Sequence, residues 1–425
     1  MIDKPLGEIA EADIRGLIGG PELRTLDFKE WLPGEIKPGG RPPKTPGADF
    51  AGDVAALANT EGGDLVFGVS ERETDDGPRL GRAARVVGLG VAESDHDRLE
   101  STLDQWLGQE LDPRFRGVAY HWVPLADGRW ALVARVARSF NAPHMVRGTS
   151  KFMYRTNRTN EPMNADQVRS AFLAADALPE KMERFRDGRL ARIAINDRLP
   201  VGLSPGGRVV LHVVPVASLE RGARIDLTGV KASAASDPLM LPPSPQPGRE
   251  PRHNFEGFAV ASRRLWQGGH ESYLQIFRNG SIEAVTAGGM GKHPEYGPLL
   301  NPRMVEQHLI DRLSRYLALI LQLGSSSPAF VLVSLVRAAA HRFAIGDPAM
   351  GLGQELAHDP MPLPECYWEG GDDEPDTTLA ATLLRPAFDA LWQAGGFERS
   401  KSYLESGSWS YDGNVPFDFA KWNGG

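Results

Sequence analysis

Cysteine is all but missing from this chain: among 425 residues, Cys366 is the only one. A single thiol excludes an intramolecular disulfide framework and every zinc site built on several cysteines, and it fits a reducing cytoplasm. The 10 histidines include no pair at His-x3-His spacing, which excludes a two-histidine helical metal site as well. Long apolar runs are lacking too. The most continuous one, residues 329–336, falls far short of the roughly 20 residues that span a bilayer. Residues 1–5 show no apolar signal-peptide core, so the expectation is a cytoplasmic protein without a membrane partner. An excess of positive charge is also absent. With a formal net charge of -8, the chain is no generic polyanion binder, and any nucleic-acid surface has to be a local patch.

Two motifs fail on inspection. Gly202-Leu203-Ser204-Pro205-Gly206 has the Gly-x-Ser-x-Gly form of a nucleophile elbow, but Pro205 lacks the N–H that the oxyanion hole requires. The run Gly288-Gly289-Met290-Gly291-Lys292-His293 lacks the leading glycine of a phosphate loop, and no Ser or Thr follows its lysine. It reads as a glycine-rich turn. His144, next to Pro143, reads as structural rather than as a metal ligand.

What is present is an ordinary globular composition, 41% hydrophobic and 24% charged, able to bury sizeable cores. The length predicts two or three domains. Residues 6–18 place Ile9, Ile14, Leu17 and Ile18 at helical spacing before Gly19-Gly20. A strand is predicted near residues 24–31. Residues 33–47 are dominated by proline and glycine and carry Lys37, Arg41 and Lys44, which reads as a long basic loop. Residues 48–59 read as a helix with Phe50, Val54 and Leu57 on one face. Residues 64–69 read as an interior strand, with a short strand near 86–89 beside it. A helix over 94–107 follows, then two strands, 117–125 and 129–138, paired around Asp127-Gly128. A last strand over 152–156 and a closing helix starting over 166–175 complete an α+β domain of residues 1–180, a mixed sheet with helices packed on one side.

Residues 195–425 read as a second α+β region. It holds an apolar strand over 209–216, a Pro-rich stretch over 242–251 and a hairpin turning at Asn279-Gly280. A helix over 304–323, the apolar run already noted and a helix over 379–392 follow, with an acidic, Pro-rich break near 360–375. No motif in this half names a function.

The chemistry sits in the first half. Asp27 and Lys29 are two residues apart on a predicted strand, so their side chains share a face, while Leu26 and Phe28 face a core. An acid and a lysine so placed suit metal-assisted phosphodiester cleavage: the carboxylate holds Mg2+ or Mn2+ and the lysine orients water and phosphate. The bare pattern equally describes a surface strand with an ordinary ion pair. Glu22, five residues earlier, is positioned to fold back as a second carboxylate. Residues 129–160 form a second constellation, with Arg129, Arg135, Arg138, Arg147, Lys151, Arg155 and Arg158 and no acid. Interleaved aromatics include Trp130, Phe152 and Tyr154. Such a run reads as a polyanion surface, its cations neutralising phosphates and its exposed rings stacking on unpaired bases.

The arrangement Glu22-x4-Asp27-Phe28-Lys29, then Asn59-Thr60-Glu61-Gly62-Gly63 and Gly68-Val69, followed by Val87-Gly88-Leu89, Pro143-His144 and Tyr154-Arg155, resembles the Schlafen-type AlbA domain over about residues 20–175. The resemblance implies nucleic-acid binding, RNA before DNA. Some members resemble metal-dependent endoribonucleases acting on structured RNA such as tRNA, which here implies a role in stress response or phage defence. Carried over, Glu22 and Asp27 match the family's acid pair and Lys29 its lysine, with Asp replacing Glu at the second position. The third acid, which follows the Gly-Val strand, is replaced by Ser70, and Glu71 is the candidate in its place. Glu22, Asp27 and Glu71 would then hold Mg2+ or Mn2+. Lys37, Arg41, Lys44, Arg135, Arg138, Arg147, Lys151, Arg155 and Arg158 would contact nucleic acid. The alternative is a non-catalytic DNA- or RNA-binding regulator using the same basic surface. Gly62-Gly63 reads as a helix stop and tight turn, with Asn59 capping the helix end. A second lobe closing a groove over RNA would come from residue 197 onward or from a second subunit, a homo-oligomer.

Overall fold

The computed structural model describes residues 1–35, 45–74, 81–219, 222–228, 230, 249–266, 268–323, 328–344, 353–370 and 375–410. Lys37, Arg41 and Lys44 lie outside the described residues, as does most of the Pro-rich stretch over 242–251. The fold is α+β, and the chain forms two compact units, Met1–Ala177 and Leu178–Gly425.

In the first unit, a helix α1 (Glu11–Gly16) leads into strand β1 (Leu26–Lys29), helix α2 (Pro46–Ala58) and strand β2 (Gly63–Phe67). Short strands β3 (Val69–Ser70) and β4 (Arg85–Val86), helix α3 (His96–Glu110) and the short β5 (Leu111–Asp112) follow. The hairpin β6 (Val118–Pro124) and β7 (Trp130–Val136) is succeeded by β8 (Met145–Val146), β9 (Lys151–Arg155) and β10 (Asn160–Pro162). Helix α4 (Ala165–Ile195) carries the boundary between the units. The central sheet has the order β1-β2-β7-β6, with β1 and β2 parallel and the other pairs antiparallel.

Alternation along these strands makes two cores, because successive side chains point to opposite faces. Leu65, Phe67, Leu132, Ala134 and Val136 pack with Phe50, Val54 and Leu57 of α2 and Leu103 and Leu107 of α3. Val66, Val133, Leu26 and Phe28 pack on the other face with Ile9 and Ile14. Helices therefore cover both faces rather than one, a correction that follows from β2 and β7 being apolar on both faces and needing cover twice. The strand expected over 86–89 lies beside the end of the expected 64–69 strand, with Val86 opposite Val69 and the Val87 N–H donating to the Gly68 carbonyl, while β2 itself is flanked by β1 and β7. Strand β9 is not the last strand either, because β10 pairs with it, and the closing helix runs on to Ile195.

The Gly62-Gly63 turn sets α2 against β2. Both glycines have positive φ, +72 and +146. A Cβ on Gly63 would sit 2.4 Å from the Thr25 carbonyl oxygen, and one on Gly62 2.6 Å from that of Val136. Only glycine lets the chain pass this close to its neighbours.

In the second unit, strands β11 (Arg208–Pro215), β12 (Arg249–His253), β13 (Gly257–Ser262), β14 (Ser272–Phe277) and β15 (Ile282–Thr286) join the later β18 (Ala329–Val336) in one sheet. Between β15 and β18 come β16 (Met290–His293), β17 (Gly297–Leu300) and helix α5 (Pro302–Gln322). The short β19 (Arg342–Phe343), β20 (Met361–Pro362) and β21 (Cys366–Trp368) precede helix α6 (Thr377–Ala394). The β14–β15 hairpin turns at Asn279-Gly280, as its sequence predicts. Helices α5 and α6 pack on one sheet face, and Leu190 and Ile193 of α4 pack on the other. On that second face Glu283, fully buried, takes 2.7 Å hydrogen bonds from both Arg189 Nε and Nη2 and one from the Tyr273 hydroxyl at 2.8 Å. Its second oxygen also lies 3.0 Å from His212 Nε2.

Candidate functional site

The turn over residues 23–26, closed by reciprocal backbone hydrogen bonds between Leu23 and Leu26, folds Glu22 back beside β1. The Phe28 N–H donates to Glu22 Oε1 at 3.2 Å. Asp27 and Lys29 lie on the α2 side of β1, opposite Leu26 and Phe28, and there meet Asp53 of α2. Lys29 Nζ stands 3.1 Å from Asp27 Oδ2 and 2.8 Å from Asp53 Oδ2. Arg155, only 2% exposed, enters from β9. Its Nη1 lies 3.2 Å from Asp27 Oδ2 and its Nη2 lies 3.7 Å from Glu22 Oε2. It also donates from Nε to the Leu23 carbonyl and from Nη2 to the Leu26 carbonyl, both at 3.1 Å. Asn160 closes the ring, accepting from Arg155 Nη1 at 2.8 Å and donating to Asp53 Oδ1 at 2.6 Å.

Electrostatics follow from that packing. Burial, reinforced by the hydrogen bond and charge of Asp27, pushes the Glu22 carboxyl up to about 8. Burial alone would raise Asp27 as well, but Lys29, the Glu22 hydrogen bond and Arg155 outweigh it and hold Asp27 below its ordinary value. Burial raises Asp53 despite Lys29. The charges of Asp53 and Asp27 keep Lys29 protonated against its own burial. With Glu22 protonated, two carboxylates face two cations, so the cluster is electrically closed on itself.

Sequence reasoning brought Glu22, Asp27 and Lys29 together, and the structure places them within this one cluster. It missed Asp53 and Asn160. Asp53 left a readable signal: it falls three residues after Phe50 and four before Leu57, a polar group within the apolar stripe of α2. Glu71 follows β3, and its charge adds to the rise at Glu22. Among the described residues no group of three or more His, Cys, Asp and Glu side chains is placed to hold a metal ion.

The basic residues separate into two classes. Arg155 is a correction to the expected phosphate contacts, because its guanidinium is buried and its N–H groups are engaged inside the protein. Arg135 is a second correction. It forms a two-pronged pair with buried Asp64 at 2.8 and 3.1 Å and donates to the carbonyls of Lys4 and Ile2. Arg147, Lys151 and Arg158 are exposed. Arg147 meets Asp112 at 3.5 Å with both side chains more than half exposed, a contact worth at most about 1 kcal/mol. Arg138 is half-buried and lies over the Phe140 ring at 5.5 Å.

His144 is structural, as expected: buried, 2.7 Å from the Pro113 carbonyl and 2.6 Å from Ser139 Oγ. Asn59 does not cap its helix. Its amide donates to the His144 and Met153 carbonyls and its oxygen accepts from the His144 N–H, tying α2 to β8 and β9. Thr60 accepts from the Arg155 N–H at 3.0 Å. Beside this seam lies a cleft of about 470 Å3, lined by Arg24, Arg138, Tyr154, Asn164, Gln167 and Ser170 among others.

Residues 22–164 match the family described as Schlafen, AlbA_2. Two solved structures are similar in part. The DIP2311 protein from Corynebacterium diphtheriae is 21% identical, covering 33% of this chain and 26% of that one at a TM-score of 0.23. The N-terminal domain of a putative ATP-dependent DNA helicase RecG-related protein from Nitrosomonas europaea is 19% identical, covering 34% and 84% at a TM-score of 0.25. The chain thus spans about a quarter of the length of the Corynebacterium protein. No curated protein matches it. The family match and the motifs running from Glu22 to Arg155 coincide on one region, and residues 22–164 of this chain carry a Schlafen AlbA-type domain.

Proposed function

We propose that the N-terminal unit binds nucleic acid, RNA before DNA, through the surface built by residues 129–160. The observation that carries this reading is the acid-free run of that segment in a chain of net charge -8. From it Arg147, Lys151 and Arg158 reach solvent, while Arg138 lines the adjoining cleft. The Schlafen, AlbA_2 match supports the same reading.

The finer reading is a metal-dependent endoribonuclease acting on structured RNA such as tRNA, in stress response or phage defence. Glu22 and Asp27, which face each other, would hold Mg2+ or Mn2+, and the ion would supply charge for the departing oxygen. The donor set does not fit such an ion as arranged. Lys29 and Arg155 already stand where charge compensation is needed, the third carboxyl of the cluster, Asp53, is taken up by Lys29 and Asn160, and among the described residues no three acids are placed around one ion. A divalent ion requires deprotonated oxygen ligands and room for several of them. Holding is therefore favoured over cutting.

Titrating labelled single-stranded RNA, tRNA and duplex DNA over a salt series tests the reading. Four phosphate contacts predict a slope of log affinity against log salt of about -3 to -4. Charge reversal at Arg147, Lys151 and Arg158 should weaken all three ligands alike. A flat salt dependence would overturn the reading. Cleavage that appears only with Mn2+ or Mg2+ and disappears in Asp27→Asn would reinstate the nuclease.

A further inference from the structure

The cleft beside β9 has a chemistry that the exposed cations do not explain. Its walls come from the two residues after α2 (Asn59, Thr60), from β9 (Tyr154), from Arg24 and Arg138, and from the approach to α4 and its first turns (Met163 to Ala171). The cleft, about 470 Å3 in volume, is largely open to solvent.

Its polar lining is dominated by donors. Asn164 and Gln167 form a reciprocal cap on α4: the Gln167 N–H donates to Asn164 Oδ1, and the Asn164 N–H donates to Gln167 Oε1, both at 2.9 Å. Both amide oxygens are thereby engaged, and what each side chain can offer a ligand is its NH2 group. This also means that the helix terminus itself is satisfied. The guanidinium of Arg24 pairs with Glu61 at 3.4 Å with both side chains half exposed, a contact that a stronger anion displaces readily. Arg138 and Ser170 complete the polar lining. Asp166 is the one acid in the lining, and it meets Arg169 at 3.4 Å.

An aromatic face completes the set. Met153 and Arg155 point from β9 into the protein, so Tyr154 points outward. Its hydroxyl lies 3.4 Å from Glu161 Oε2 on the paired strand β10, which leaves the ring to line the cleft. A site rich in donors and cations with one aromatic wall selects a ligand that is anionic, rich in acceptors and flat.

We propose that this cleft seats one unpaired nucleotide unit, its base against Tyr154 and its phosphate among Arg24, Arg138 and the Asn164 and Gln167 amides. The inference rests on the nucleic-acid reading of the same unit. The unit can come from a single-stranded segment or from a free mononucleotide.

The double variant Asn164→Asp with Gln167→Glu provides the test. Both carboxylates keep the oxygens that cap α4, and acids favour a helix N-terminus, so the fold and its thermal midpoint should hold. The two donors are replaced by negative charge. The full chain is titrated with a single-stranded oligonucleotide, a duplex of equal charge, uridine and adenosine monophosphates, and inorganic phosphate. The single strand should bind at least tenfold more weakly to the double variant and to Tyr154→Ala, and Tyr154→Phe should bind as the parent does. Duplex affinity should change less than twofold. Unchanged single-strand affinity in the double variant overturns the cleft while duplex binding, still salt-dependent, leaves the broader reading standing. Loss of salt-dependent binding to every nucleic acid sinks the broader reading instead. Monophosphates that bind with the same variant sensitivity identify a free nucleotide as the occupant. Inorganic phosphate that binds as tightly as the monophosphates overturns the role of the ring.

Discussion

Glu22 offers a direct check on the closed charge cluster, through the variant Glu22→Gln. In the folded protein its carboxyl titrates near 8, against an ordinary value of 4.5. Between those values the folded state holds a proton that the unfolded chain has released. The associated stability is complete below about pH 4.5 and is lost as pH rises through about 8, with a slope of at most about 1.4 kcal/mol per pH unit. From pH 6 to pH 8 the parent should lose about 2 kcal/mol from this group. Asp27 adds nothing in that window, because its lowered value leaves it ionised in both states. A glutamine accepts from the Phe28 N–H and donates toward Asp27, as the protonated acid does, but it cannot ionise. Parent and variant should therefore melt together below about pH 4.5, where the glutamate carries its proton in both states. From pH 6 to pH 8 the variant's melting advantage over the parent should widen by about 4–8 °C, at roughly 2–4 °C per kcal/mol for a unit of this size. Differential scanning calorimetry of the full chain reads the difference, and hydrogen exchange in β1 and β2 assigns it to the first unit. A gap between parent and variant that stays the same from pH 6 to pH 8 would refute the shared-proton cluster.

Two further perturbations test the frame around the site. Gly63→Ala places a Cβ against the Thr25 carbonyl in a backbone conformation that alanine avoids, so the first unit should lose about 2–4 kcal/mol or more. Urea unfolding followed by circular dichroism measures it, and a loss below about 1 kcal/mol would contradict the close approach. In the second unit, Arg189→Met leaves the Glu283 carboxylate buried without its two-pronged partner. A loss of about 3–5 kcal/mol is expected, with nucleic-acid affinity unchanged, measured by chemical denaturation and by the binding titration.

Much of the architecture is legible in the order of residues alone. Strand β2 and the β14–β15 hairpin follow from apolar runs bounded by glycine turns, signals local in the chain. The grouping of Glu22, Asp27 and Lys29 is legible too, since strand alternation and a short turn dictate it. Less legible is the cover on the second sheet face. Helix α1 is only six residues long, too short a stripe to show which face its apolar side chains will meet.

The basic run shows most clearly where local information stops. Seven cations in residues 129–160 look alike in one dimension, yet Arg135 and Arg155 turn inward to Asp64, Asp27 and backbone carbonyls, while Arg147, Lys151 and Arg158 reach solvent. The residues that decide this, Asp64 and Asp27, are 71 and 128 positions away in sequence from the arginines they meet. Sequence alone determined the α+β class, the Schlafen AlbA-type motifs and the Asp-x-Lys strand, because spacing and backbone preference act over a few residues. Tertiary structure alone decided that Asp53 and Arg155 complete a self-neutralised cluster and that a donor-lined cleft opens beside β9. Burial and charge compensation depend on neighbours that only the folded chain brings together.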